Sequence, residues 1–311
     1  MNLIFIFLGF FLLVLGGQYM VRASVALSFK FNISKFVIGM TVVSLATSLP
    51  ELIVSVNAAL NESPSIAVNN VIGSNIANIG LVLAIISILS NISVENKFYK
   101  RDWPWMFFLS IVASLFVYTN YLLSKFEGLI LLSILIFFVF NILKNSDSNE
   151  TYNDVDDKLS LVSNFKILIW LIISSITLYF GAEFLVDGAV NLAEQLNISE
   201  ATISVTIIAI GTSIPELAAS LVAVAKKEKG ISVGNLIGSN IFNIGSVLGI
   251  TSLIKDIPIA EEIVQRDVLW MLIFAILLIF LVILPKKNTL SKYKGLIILS
   301  LYFIFVFQAF S

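Results

Sequence analysis

Apolar stretches long enough to cross a bilayer recur from one end of this 311-residue chain to the other, and that feature leaves few folds open. In hydrocarbon no water satisfies backbone N–H and C=O groups, so each spanning segment closes its own hydrogen bonds as an α-helix. At about 1.5 Å per residue, roughly 20 residues cross a core of about 30 Å. Ten candidate spans fit, at residues 2 to 27, 33 to 60, 65 to 90, 103 to 123 and 126 to 143, then 165 to 190, 199 to 225, 231 to 254, 267 to 284 and 294 to 310. Composition agrees, with 58% hydrophobic and 13% charged residues against roughly 45–50% and 25% in soluble domains. The fold class expected is an all-α membrane protein of ten transmembrane helices.

The chain holds no cysteine and no histidine. Disulfides, thiolate or imidazole metal sites, and Cys or His catalysis are thereby excluded, so any chemistry must use oxygen. An intramembrane enzyme lacks its parts, with no His for a serine dyad and no pair of mid-span aspartates. With 19 Lys+Arg, 20 Asp+Glu and a formal net charge of -1, there is no basic surface for nucleic acid.

Residues 145 to 158, NSDSNETYNDVDDK, are too polar to fold alone and read as an acidic linker. A calcium-sensing loop is the sharper reading, but no glycine supplies the turn such a loop needs. Counting Lys and Arg on alternate sides of the ten spans gives 16 against 3. By the positive-inside rule the linker faces inward and both termini face outward, in a multi-pass protein of the plasma membrane. The first span is not a signal peptide, because no positive charge precedes it and it has a counterpart deep in the chain.

Sliding the sequence over itself gives an ungapped match at an offset of 165, carrying Gly16 to Leu83 onto Gly181 to Leu248. TSLPEL at Thr47 to Leu52 falls on TSIPEL at Thr212 to Leu217, and NVIGSNIANIG at Asn70 to Gly80 on NLIGSNIFNIG at Asn235 to Gly245. Five spans per half is an odd number, so the second copy enters the membrane from the opposite side. The halves are therefore two inverted five-helix repeats, at residues 1–143 and 165–311, joined by a cytoplasmic linker at 144–164. Inverted repeats are the architecture of many secondary transporters.

Pro50 and Pro215 lack an N–H and clash with the preceding turn, so their helices should break mid-span and free carbonyls around Ala46, Thr47, Gly211 and Thr212. Glu51 and Glu216 follow at the start of each trailing half-helix, where the dipole favours the ionised carboxylate. An ionised side chain at that depth costs roughly 2.5–3.5 kcal/mol, and no neighbouring mid-span cation offsets it, so a metal ion is the simplest countercharge. The plainer alternative is two protonated glutamates acting as interhelical donors. Ser74 and Asn78, like Ser239 and Asn243, stand four apart and share a helical face as oxygen donors. Gly73, Gly80, Gly238 and Gly245 permit close approach or local unwinding, and a small-residue packing seam is their alternative role. An all-oxygen set with two carboxylates is a hard-cation site that suits Ca²⁺ and also Na⁺. Arg22, Glu183 and Asp187 lie near span ends and read as snorkelling side chains, with a cation-attracting vestibule as the alternative for the two acids.

The paired G/A-T-S-x-P-E and G-S-N-x-x-N-I-G segments resemble the alpha repeats of the calcium/cation antiporter superfamily, in its sodium/calcium exchanger branch and prokaryotic members. The resemblance covers nearly the whole chain. It implies electrogenic exchange of Na⁺ against Ca²⁺ through one central cluster exposed alternately to each side, with H⁺/Ca²⁺ exchange as the alternative. It implies that Glu51 and Glu216 bind Ca²⁺ and Na⁺ alternately, that carbonyls of Thr47 and Thr212 reach the calcium, and that those of Ser44 and Ala209 flank sodium sites. Ser48, Ser213, Ser74, Ser239, Asn78 and Asn243 would complete the sodium sites. Some relatives carry Asp where Asn243 stands, so a two-carboxylate site without potassium dependence is implied. The expected partners are the two ions and the lipid bilayer, with no cofactor and no protein partner. The short linker leaves no room for the family's large regulatory domains.

Overall fold

The computed structural model describes residues 2–61, 65–146, 157–196, 209–285 and 287–309. The first half contributes helices α1 (Asn2–Phe31), α2 (Lys35–Leu60), α3 (Ile66–Leu89), α4 (Phe98–Thr119) and α5 (Lys125–Lys144). The second contributes α6 (Asn164–Gln195), the shorter apolar α7 (Ile214–Ala225), α8 (Lys229–Ile254), α9 (Ile263–Ile283) and α10 (Lys292–Ala309). Among the described residues, nine of these are long and apolar enough to cross a membrane. Residues 199–208 of the seventh expected span lie outside the described ones, as do linker residues 147–156. The chain is an all-α membrane protein.

Two helices start earlier than hydropathy suggests. Arg101 pairs with Asp102 at 2.7 Å and Arg266 with Asp267 at 2.7 Å. Each pair cancels its charge locally, so the helical backbone continues outward through a π-turn at Phe98–Asp102 and at Ile263–Asp267.

The residues form two compact units, Met1–Thr47 with Leu143–Asn235, and Ser48–Ile142 with Leu236–Ser311. Each unit draws on both halves of the chain. In the first, α1 and α6 pack through glycines. A Cβ on Gly9 would lie 2.7 Å from the Leu185 nitrogen, one on Gly16 2.6 Å from Thr177 Oγ1, and one on Gly188 3.0 Å from the Asn2 carbonyl. Toward the other end of α1, Tyr19 meets the Trp170 ring, and Ala23 and Ala26 cluster with Ile167. Residue numbers rise along α1 as they fall along α6, so these repeat-related helices run antiparallel.

In the second unit, contacts recur at a near-constant offset. Gly128 of α5 lies against Gly249 and Ser252 of α8, while Gly295 of α10 lies against Ala84 and Ser87 of α3. Gly245 meets Leu135, and Gly80 meets Tyr302. Two short antiparallel ladders follow the same rule. Strand β1 (Ile92–Ser93) pairs with β4 (Thr289–Leu290), and β2 (Leu122–Leu123) pairs with β3 (Ile257–Pro258). KFEGLILLS at Lys125 to Ser133 matches KYKGLIILS at Lys292 to Ser300, so the internal similarity extends beyond the segment that matched without gaps. Helices α3 and α8 are each 83% buried along their most apolar stretch, against 22% for α10, which explains the density of small and polar residues they carry.

Of the two roles expected for Gly73, close approach is not found among the described residues, since beyond its own helix turns none of their atoms lies within 4 Å of its Cβ position. Gly9→Val should therefore lower the thermal unfolding midpoint, at a cost of about 1–3 kcal/mol of overpacking. Gly73→Ala should leave it unchanged or raise it, at about 0.8–1 kcal/mol of helix propensity. Melting curves of the two detergent-purified variants check this, and a reversed order would refute the packing assignment.

Candidate functional site

Proline sets the local geometry. The leading segment Ser44–Thr47 stops at Ser48, whose φ of -86° and ψ of 1° leave the helical basin, and the trailing helix Leu49–Leu60 begins with Pro50 in its first turn. The second copy repeats this: Ala209–Gly211 is followed by Ser213 at φ -89° and ψ 3°, and α7 begins with Pro215 in its first turn. A proline is tolerated there because the N–H it lacks would have had no intrahelical partner. Glu51 and Glu216 occupy the first turn of their trailing helices, and both are 0% exposed. The positive end of each helix dipole stabilises the anionic form.

The two units hold different shares of the expected residues. The first holds Ser44, Thr47, Ala209, Thr212, Ser213 and Glu216, and the second holds Ser48, Glu51, Ser74, Asn78, Ser239 and Asn243. In the first unit, Asn235 gathers several of them. Its carbonyl accepts from the Ser44 hydroxyl at 2.9 Å, its Oδ1 accepts from the Thr47 hydroxyl at 3.1 Å, and its Nδ2 donates to Ser220 Oγ at 3.2 Å. Ser220 lies one helical turn beyond Glu216. In the second unit, Asn70 Nδ2 donates to Ser55 Oγ at 3.1 Å and to the Glu51 carbonyl at 3.2 Å. Asn70–Ser55 and Asn235–Ser220 are the same bond at repeat-related positions.

Four buried asparagines form the centre of the second unit. Asn75 Nδ2 donates to the Asn240 carbonyl at 3.2 Å, and Asn240 Nδ2 to the Asn75 carbonyl at 3.4 Å. Asn78 Nδ2 donates to Asn240 Oδ1 at 3.1 Å, and Asn243 Nδ2 to Asn75 Oδ1 at 3.2 Å. With their N–H groups so engaged, Asn78 and Asn243 turn their Oδ1 atoms the other way. Both oxygens are buried and accept no hydrogen bond among the described residues. The Ser48 and Ser213 hydroxyls are likewise buried with no partner among the described residues. An unmet buried polar group costs about 1–3 kcal/mol, and a hard cation is a ligand that oxygens of this kind satisfy.

Asn78 and Asn243 each open a π-helical segment, Asn78–Leu83 and Asn243–Leu248. Such bulges recur at functional sites because the widened turn re-aims side chains. Asn75 and Asn240, absent from the expected set, orient the two amides. Their one signal in the sequence is that both stay Asn at the 165-residue offset within apolar runs. Glu183 and Asp187 are exposed on α6, where Glu183 accepts from the Tyr179 hydroxyl at 2.7 Å. No group of three or more carboxylates clusters among the described residues, so neutral oxygens must supply most of any coordination shell.

The family model described as sodium/calcium exchanger protein matches residues 1–144 and 166–310. The chain belongs to the sodium/calcium exchanger family. An uncharacterized membrane protein of Methanocaldococcus jannaschii is 37% identical, with 96% of this chain and 94% of that protein covered. The sodium/calcium exchanger MaX1 of Methanosarcina acetivorans is 29% identical over 98% of this chain and 97% of its own length. Among solved structures, the sodium-calcium exchanger NCX_Mj soaked with zero Na⁺ and Ca²⁺ superposes at a TM-score of 0.81 with 34% identity, covering 97% of each chain. This exchanger-family chain is thus a multi-pass transporter, and its activity is cation/Ca²⁺ antiport.

Asn75→Ala removes the acceptor that holds the Asn243 amide. It should raise the half-saturating Ca²⁺ concentration for flux roughly 5- to 150-fold, the equivalent of about 1–3 kcal/mol, while Asn61→Ala at an exposed helix end should leave it unchanged. Equal behaviour of the two variants in proteoliposome uptake would remove the orienting role.

Proposed function

We propose that this protein exchanges Na⁺ for Ca²⁺ by alternating access and extrudes calcium across the plasma membrane, with Glu51 and Glu216 binding the two ions in turn. The observation that carries this reading is the pair of repeat-related glutamates, both fully buried in the first turn of a proline-broken helix. Two ionised glutamates balance one Ca²⁺, and a donor set without nitrogen or sulfur ligands matches a hard cation. In this reading the carbonyls of Thr47 and Thr212 serve the calcium and those of Ser44 and Ala209 the sodium. Ser48, Ser213, Ser74, Ser239, Asn78 and Asn243 add side-chain oxygens. Asn243 is neutral, which argues for a two-carboxylate centre that works without potassium.

The antiparallel course of α1 and α6 supports an inverted repeat, since helices that are equivalent in sequence but opposite in direction are what five spans per half require. With the excess of Lys and Arg inside, the linker is cytoplasmic and both termini are outside.

Radiolabelled Ca²⁺ uptake into proteoliposomes should follow an imposed Na⁺ gradient and fall to background in Glu51→Gln and in Glu216→Gln. Uptake that follows an imposed pH gradient without Na⁺ would assign the coupling to protons instead, and normal flux in both variants would remove the glutamates from the site. Because the chain has no native cysteine, topology can be read with single introduced ones. Asn153→Cys should react with a membrane-impermeant maleimide only after cells are opened, and Ser311→Cys in intact cells.

A further inference from the structure

A crevice of about 450 Å³ opens in the first unit, beside α1, the turn Asp157–Ser160, α6 and the C-terminal end of α7. Its charged rim carries Arg22, Lys158 and Lys226, together with Glu228. The single acid is already engaged, since Lys35 Nζ lies 3.0 Å from Glu228 Oε1. Arg22, Lys158 and Lys226 are exposed and make no ion pair among the described residues. Among the described residues the crevice therefore presents three cations and, besides the engaged Glu228, no lining acid. Its wall is apolar, formed by buried Val21 and Val25 and by half-buried Leu159 and Trp170.

The position is that of a membrane interface. α1 runs 30 residues, roughly 45 Å at helical rise, which exceeds a hydrocarbon core of about 30 Å. Arg22 lies toward the end of α1 that packs on the start of α6, where Trp170 sits beneath the Lys166 ammonium at 5.3 Å. Tryptophan and lysine together mark the headgroup level. In the topology proposed above, all three rim cations lie on the cytoplasmic side, which collects most of the Lys and Arg.

We propose that this crevice binds the headgroup of an anionic phospholipid, the cations gripping its phosphate while its glycerol and upper acyl chain lie on Val21, Val25, Leu159 and Trp170. A free inorganic anion would use the three charges but has nothing to place on the apolar wall. Basic pockets between transmembrane helices on the cytoplasmic side are suited to such headgroups. The site involves none of the residues assigned to ion transport.

The test uses the full chain in nanodiscs of neutral phosphatidylcholine doped with a phospholipid brominated on its acyl chains, which quenches nearby tryptophan. Brominated phosphatidylglycerol should quench more than brominated phosphatidylcholine at equal mole fraction, and the excess should vanish in Trp170→Phe. Arg22→Gln and Lys226→Gln should each weaken the apparent affinity for phosphatidylglycerol about fivefold. Lys287→Gln, whose ammonium lies over the Tyr99 ring in the other unit, should leave it unchanged and controls for general surface charge. Equal quenching by the two lipids, an excess that survives Trp170→Phe, or an equal loss in Lys287→Gln would overturn the site. Removal of the excess by millimolar inorganic phosphate would assign the crevice to a free anion and overturn the lipid.

Discussion

A carboxylate withdrawn from water must be compensated where it stands, and that requirement governs how this molecule is built. Glu51 and Glu216 are fully buried in a chain that spans a bilayer, where an ionised side chain at mid-depth ordinarily costs roughly 2.5–3.5 kcal/mol. Along the chain both stand beside Thr, Ser and Pro, with no Lys or Arg at adjacent positions. Part of the compensation is local: each sits in the first turn of a helix that begins at a proline, so the dipole and the free N–H groups of that turn face the charge. In the function proposed above, the transported ion supplies the rest.

If neutral oxygens are to bind an ion, as proposed above, the protein itself must not consume them. The asparagine quartet of the second unit meets this need by spending N–H groups on one another. Asn75 and Asn240 accept from Asn243 and Asn78, which leaves the oxygens of the latter two uncommitted. Gly80 and Gly245 lie against Tyr302 and Leu135, and Gly128 and Gly295 against the backbone of the helices they touch. Small residues thus fix how near α5 comes to α8 and α10 to α3.

Much of this was legible in the chain. Apart from the start of the seventh span, which lies outside the described residues, hydropathy located the helices to within about five residues, because spanning length and backbone satisfaction are local demands. The proline breaks and the first-turn position of both glutamates followed from residue identity alone. The helix starts at Phe98 and Ile263 are not legible in the sequence, because charged residues there read as loop and only the structure pairs Arg101 and Arg266 with the aspartates beside them. Which of its two expected roles Gly73 takes is not legible either, because motif membership says nothing about which face of a helix meets a neighbour.

The sequence by itself determined the solvent this protein folds in, the internal repeat, and the kind of ligand atom it can offer, since these depend on composition and on short-range pattern. Tertiary structure alone decided which asparagines orient and which present their oxygens, that each compact unit takes segments from both halves, and that Arg22, Lys158 and Lys226 line one crevice. Those outcomes rest on contacts between residues more than 100 positions apart in the chain. No local periodicity records such contacts, and they exist only once the helices have packed.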